Sequence, residues 1–128
     1  MDNKYIIPKI KENKKNKDMA DIKKLNNEEE YNEFINNPGT LNLVKGFATW
    51  CGPCKALSNT ILDLTSNDVE GVLIAEVDVD DEWFENYLDE LKIRGVPVLI
   101  AFKDGEEIDR VSGNMPKTDL IEFIARNR

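Results

Sequence analysis

The sequence WCGPC at residues 50–54 decides the fold, because it marks the point where a strand passes into a helix. A hydrophobic run at residues 41–48 leads into it, and a helix-compatible run at residues 55–65 leads out. Pro53 suits the first turn of a helix, where its missing N–H would be unpaired anyway. Cys51 is therefore predicted at a helix N-terminus, where free backbone N–H groups and the helix dipole favour an anion.

The two cysteines of the chain, Cys51 and Cys54, are predicted to form a redox dithiol. A helix N-terminus stabilises a thiolate, so we expect the pKa of the Cys51 thiol to fall below its usual value of about 8.5. Cys51 would attack a disulfide, and Cys54 would resolve the mixed disulfide. Gly52 would keep the approach to the sulfur open, and Pro53 would stiffen the turn.

Three other interpretations of the cysteine pair stay open. The pair could be half of a zinc site, but zinc takes about four nitrogen or sulfur ligands. The chain contains two Cys and no His, so no metal is expected. The pair could instead be a structural disulfide, although so short a loop constrains the unfolded chain little. It could also be two unrelated buried cysteines.

The WCGPC stretch after a strand, with the sequence GVP at residues 95–97 downstream, resembles the thioredoxin family. The resemblance covers about residues 20–126 and implies the thioredoxin fold, an α/β architecture with a central mixed β-sheet flanked by helices on both faces. The chain pattern agrees, since strands and helices alternate and are followed by a hairpin and a last helix. The expected strands lie at residues 20–25, 41–48, 72–79, 98–102 and 108–111. The expected helices begin at Asn26 or Asn27, at the WCGPC stretch, at Asp80 and at Pro116, and the helix from Asp80 is expected to end near Leu91.

The resemblance also implies roles for residues around the dithiol. Cys51 would lie exposed at the helix start as the nucleophile, with the resolving thiol more buried. Trp50 would flank and shield the sulfurs, although simple packing would also account for it. Pro97 matches the family's cis-proline, and Val96 would offer its backbone to an extended substrate strand. Gly113 resembles the glycine that completes the docking surface.

One departure from the family concerns two charged residues. The strand entering the active site commonly carries a buried Asp beneath the resolving cysteine, and the neighbouring strand commonly carries a Lys. Here those positions are Lys45 and Glu76, so the charges are exchanged. Strand alternation places Lys45 on one face with Leu43 and Phe47. We predict an ion pair beneath the dithiol; the alternative is that both side chains reach solvent.

The function that the resemblance implies is that of a dithiol electron carrier that reduces protein disulfides and holds no cofactor of its own. A flavin-dependent thioredoxin reductase would return it to the dithiol form. One alternative is a non-catalytic binding or assembly subunit of the same fold, although a scaffold does not need both thiols. Another is a disulfide oxidase or isomerase, but such proteins usually carry His where this chain has Pro53.

Composition sets the remaining expectations. The 128 residues carry a net charge of −8, which argues against nucleic-acid binding. Residues 1–18 hold six Lys and three acidic residues and are predicted to form a flexible basic arm, whereas residues 19–128 hold 11 basic and 22 acidic residues and form the thioredoxin domain. No apolar run reaches the roughly 18 residues of a membrane span, and no signal peptide is evident. We therefore expect a cytoplasmic monomer in a reducing compartment, without membrane association.

Overall fold

The chain forms one five-stranded sheet with helices on both faces, seen in a computed structural model that describes residues 19–128. The arm predicted at residues 1–18 lies outside the described residues. The strands are β1 (Lys23–Lys24), β2 (Leu41–Phe47), β3 (Val72–Asp78), β4 (Val98–Lys103) and β5 (Glu106–Ser112), and the α-helices are α1 (Glu28–Ile35), α2 (Gly52–Leu62), α3 (Glu85–Glu90) and α4 (Lys117–Asn127).

The sheet is mixed, as predicted, and its order is β1-β3-β2-β4-β5. Strands β1, β3 and β2 run parallel, whereas β4 is antiparallel to β2 and β5 is antiparallel to β4. β2 is the central strand, with β3 and β4 hydrogen-bonded along its two sides. The carboxyl end of β2, which leads into WCGPC, is therefore fixed from both sides.

The two faces of β2 enter different cores. Leu41 and Leu43 pack in a cluster that includes Leu57 of α2 and Phe123 of α4. Val44, of opposite parity, packs in a second cluster with side chains of α1 and of the segment around α3. A strand that is apolar on both faces belongs in a sheet covered on both sides, and burial of these side chains is the main force that holds β2 in the centre.

Two predicted elements differ from the structure. The strand expected at residues 20–25 is a sheet strand only over Lys23–Lys24. Before it, the Ala20 N–H donates to Leu64 O at 2.8 Å and the Ile22 N–H donates to Asp21 Oδ1 at 3.0 Å, so neither pairs with the sheet. The helix expected from Asp80 to Leu91 begins as a 3₁₀ turn at Glu82–Phe84 and becomes α-helical only at Glu85. Asp81 makes no side-chain cap there, and the first N–H groups close the tighter i→i+3 bonds that are frequent at helix ends.

Helix α1 begins at the predicted cap. Asn27 Oδ1 accepts a hydrogen bond from the Glu30 N–H at 2.8 Å, and Glu30 Oε1 accepts one from the Asn26 N–H at 2.8 Å. The acidic residues of the first turn also suit the positive end of the helix dipole. No helix among residues 19–128 combines the length and the apolar character that crossing a bilayer requires.

Replacing the cap tests this local contribution to stability. Asn27→Ala removes the side-chain acceptor and should lower the free energy of unfolding by about 1 kcal/mol. The melting temperature, followed by circular dichroism, should then fall by about 4 °C. Asn26→Ala is the matched control, because Asn26 contributes its backbone N–H, which alanine keeps. Equal shifts in the two variants would contradict a specific capping role for Asn27.

Candidate active site

The dithiol lies where β2 passes into α2, as the sequence predicts. Cys51 and Cys54 form a disulfide in the structure, with their Cα atoms 5.3 Å apart. Cys51 is the N-cap residue of α2, in extended conformation (φ −95°, ψ 109°), and Pro53 occupies the first turn. The fold therefore places one sulfur at the helix terminus and the second one turn inside the helix.

The Cys51 sulfur takes the place of a capping oxygen. Cys51 Sγ accepts a hydrogen bond from the Cys54 backbone N–H at 3.1 Å. Polar side chains at an N-cap usually accept this bond through oxygen. After reduction, the same N–H and the positive end of the helix dipole would act on a thiolate, which is the nucleophilic form of cysteine.

The predicted exposure of Cys51 is wrong. Cys51 is 4% exposed and Cys54 is 2% exposed. The two cysteines and Ala48 form a small cluster, and Phe47, Val79 and Val96 pack against it. These neighbours cover the helix start in this disulfide form. The difference in exposure between the two cysteines is therefore small.

The loop before β4 lies beside the dithiol. The Val96–Pro97 peptide bond is cis, in agreement with the family resemblance. The Gly113 N–H donates to Pro97 O at 2.8 Å, and Gly113 adopts φ +86°, which favours glycine. A depression of about 520 Å³ opens here, lined by residues 92–98, Arg110, Ser112 and Gly113. The structure thus brings together Val96, Pro97 and Gly113, three of the four residues predicted to bind substrate; the fourth is Trp50.

Trp50 and Gly52 lie on the outer side of the dithiol. Trp50 is 72% exposed, and its Nε1–H donates to Asp80 Oδ2 at 3.0 Å. A Cβ added at Gly52 would meet no atom of the described residues within 4 Å. The fold itself therefore leaves space at Gly52, and a requirement for glycine there would come from an approaching substrate.

Lys45 and Glu76 form the hypothesised pair. They are register partners in β2 and β3, and Lys45 Nζ lies 3.4 Å from Glu76 Oε1. The Lys45 side chain is 2% exposed, whereas that of Glu76 is 23% exposed. Burial lowers the pKa of Lys45, and the carboxylate of Glu76 opposes that shift. The alternative, in which both side chains reach solvent, is wrong for Lys45.

Phe47 connects this pair to the dithiol. Lys45 Nζ lies 4.9 Å from the centroid of the Phe47 ring, within the range of a cation–π contact. Phe47 in turn packs against the cluster that contains both cysteines. Strand alternation places Phe47 on the same face as Lys45, and that was the signal from which this contact could have been predicted.

Other residues of the site were also missed. Asp80, which fixes the Trp50 indole, comes just beyond the carboxyl end of β3, and that position was its signal. Lys92, Arg94 and Arg110 line the depression, and no local sequence pattern connects them. Among the described residues, no group of three or more potential metal-ligating side chains lies together.

Comparison with known proteins identifies the family. The family model described as Thioredoxin matches residues 7–126. A thioredoxin of Chlamydia caviae is 41% identical over 96 residues, which cover 75% of this chain and 89% of that protein. A thioredoxin of Staphylococcus saprophyticus is 39% identical over 88 residues, covering 68% of this chain and 82% of that protein.

A solved structure gives the same result. The X-ray structure of Fasciola hepatica thioredoxin is 33% identical, has a TM-score of 0.72, and is matched over 84% of this chain and 100% of that one. Since the family model spans most of the sequence and the fold agrees, this chain belongs to the thioredoxin family of thiol–disulfide oxidoreductases.

Proposed function

We propose that this chain reduces protein disulfides, with Cys51 as the nucleophile and Cys54 as the resolving thiol. The observation that carries the proposal is the N-cap geometry, in which Cys51 Sγ accepts the Cys54 N–H at 3.1 Å. In the reduced form this position stabilises negative charge on Cys51. Cys54 lies one turn inside α2, where it can reach the Cys51 sulfur; both cysteines are buried in this disulfide form.

The reaction follows in two exchanges. The Cys51 thiolate attacks one sulfur of the substrate disulfide, a mixed disulfide forms, and the other substrate sulfur leaves as a thiolate. Cys54 then loses its proton and attacks the Cys51 sulfur, and the second substrate sulfur leaves. Two electrons pass to the substrate, and the product on this chain is the Cys51–Cys54 disulfide that the structure contains.

The substrate strand would lie along Val96. Among residues 19–128, no partner engages the backbone N–H or C=O of Val96. These groups are therefore available to pair with an extended segment beside the dithiol cluster, against which Val96 packs. Pro97 and Gly113 would lie beneath the bound substrate segment. The exposed indole of Trp50 would contact and shield the substrate on the other side.

Lys45 and Glu76 would support the exchange from beneath. Lys45 Nζ contacts the ring of Phe47, which packs against the dithiol cluster, and its positive charge would favour a thiolate there. Glu76 is the more accessible member of the pair and would accept the Cys54 proton through water. Neither side chain attacks the substrate, so both act as positioning residues or proton relays.

The partners that complete the cycle are also proposed. The oxidised chain would be returned to the dithiol by a flavin-dependent thioredoxin reductase, and the cycle would run in a reducing cytoplasm. We propose that the chain acts as a monomer. In support, few large hydrophobic residues of the described part are exposed: Met19, Trp50, Leu62 and Ile108.

Trapping of mixed disulfides tests the function and the roles. The wild type should accelerate reduction of insulin by dithiothreitol. Cys54→Ser should accumulate a mixed disulfide with the substrate because the resolving thiol is missing, and Cys51→Ser should accumulate little. Non-reducing electrophoresis with mass spectrometry measures both. Absence of turnover in the wild type would contradict the reductase function, and equal trapping by the two variants would contradict the assigned roles.

A double-mutant cycle tests the Lys45–Glu76 pair. Glu76→Gln leaves the buried Lys45 without its counter-charge, so it should lower the free energy of unfolding at pH 7. In a Lys45→Met background the same change should cost less, with a coupling energy above about 0.5 kcal/mol. Glu76→Gln should also slow the resolving step at neutral pH. Denaturant unfolding and single-turnover kinetics measure the two effects.

The pH dependence of the free energy of unfolding is the control for this double-mutant cycle. Because the folded-state pKa of Lys45 is lowered, the unfolded chain binds more protons at Lys45 between that pKa and about 10.5. Stability relative to Lys45→Met should therefore rise as pH rises through this window, and the coupling to Glu76 should fade as Lys45 becomes neutral. Additive effects at pH 7 with an unchanged resolving rate would contradict the role of the pair.

A further inference from the structure

The depression beside Val96 and Pro97 has a charge opposite to that of the chain. The chain holds 17 basic and 25 acidic residues. The lining of the depression nevertheless includes Lys92, Arg94 and Arg110 and no carboxylate. At ordinary salt the Debye length is about 8–10 Å, so a cation here acts mainly on charges that come within that distance.

The three cations are not equivalent. Arg110 Nη2 donates to Leu91 O at 2.7 Å, and the Arg110 guanidinium also pairs with Glu107. Arg110 is therefore committed to holding the segment that enters the depression. Lys92 and Arg94 are exposed, and among residues 19–128 neither forms an ion pair. Their charges remain available to a ligand.

The backbone at Lys92 adds to this observation. Lys92 follows α3 and has φ +56°, a left-handed conformation that glycine adopts at lower cost. Lysine at this position makes the fold less stable than glycine would, and it places a cation at the rim of the depression. The surroundings of Trp50 are acidic instead, since its Nε1–H donates a hydrogen bond to Asp80 and Asp81 follows directly in the sequence.

We propose that this depression selects disulfide substrates whose attacked cysteine is flanked by an acidic segment, with Lys92 and Arg94 as the specificity-determining residues. The inference rests on the proposed reductase function. A substrate strand paired with Val96 advances about 3.3 Å per residue. Carboxylates within about three residues of the attacked cysteine therefore come to lie over the depression, where the two unpaired cations meet them.

Matched peptides test the selection. Two peptides share one disulfide loop and differ only in a flanking pair, Glu-Glu in one and Gln-Gln in the other. The measured quantity is the ratio of their kcat/KM values with dithiothreitol as the reductant. The ratio should favour the acidic peptide at low salt. The double variant Lys92→Gln/Arg94→Gln should lower the ratio about 2- to 10-fold, as expected for two exposed charge contacts, and 0.5 M NaCl should reduce the effect.

Lys103→Gln is the matched control. Lys103 is exposed, forms no ion pair among the described residues, and lies at the end of β4 remote from Pro97, so the variant changes the net charge of the whole chain by the same amount per site. Its peptide ratio should match that of the wild type. Arg94→Gln alone provides the test if replacement of Lys92 disturbs the turn after α3.

The possible results distinguish failure of the proposed substrate selectivity from failure of the proposed reductase function. A ratio that Arg94→Gln and Lys103→Gln, each of which removes one positive charge, change equally would overturn the inference, because it would reflect net charge alone. A ratio near one in the wild type at low salt would also overturn it, leaving Lys92 with a structural role at the end of α3. Failure of the wild type to reduce either peptide would instead contradict the proposed reductase function.

Discussion

The hydrogen bond from the Cys54 N–H to Cys51 Sγ exists because α2 begins directly where the central strand ends. β2 is paired on both sides and buried on both faces, so its carboxyl end has little freedom. The helix start is thereby held in one place, and the sulfur lies at the one position where unpaired N–H groups of α2 converge. The redox chemistry thus depends on the core that fixes β2 and α2 relative to each other.

Cationic side chains lie at two places near the active site, although the net charge of the chain is negative. The chain is acidic overall, but Lys45 is buried in the central strand, and a group of cations lines the depression beside the dithiol. Burying Lys45 costs free energy that its pairing with Glu76 and its contact with Phe47 partly offset. An apolar side chain of similar volume would pack there at lower cost, so stability alone does not explain the lysine.

The features that sequence could predict are those that local rules determine. The WCGPC junction and the Asn27 cap follow from helix-end chemistry. The Lys45–Glu76 pairing was predicted from the family resemblance, with support from the alternation of side chains along a strand. Burial of Cys51 could not be predicted, because Val79 and Val96 reach it from distant parts of the chain. The cations of the depression were missed for the same reason, since pairing of β4 with β5 brings Arg110 near a loop that lies far from it in sequence.

The most direct test of this account is the ionisation of the Cys51 thiol in reduced Cys54→Ser, where it is the one remaining thiol. Thiolate absorbance near 240 nm, recorded against pH, gives its titration midpoint in the folded protein and again in guanidinium chloride. The account predicts a folded-state midpoint clearly below the unperturbed value of about 8.5 and a return to that value on unfolding. A folded-state midpoint at or above about 8.5 would contradict it, because the helix terminus would then not stabilise the nucleophile.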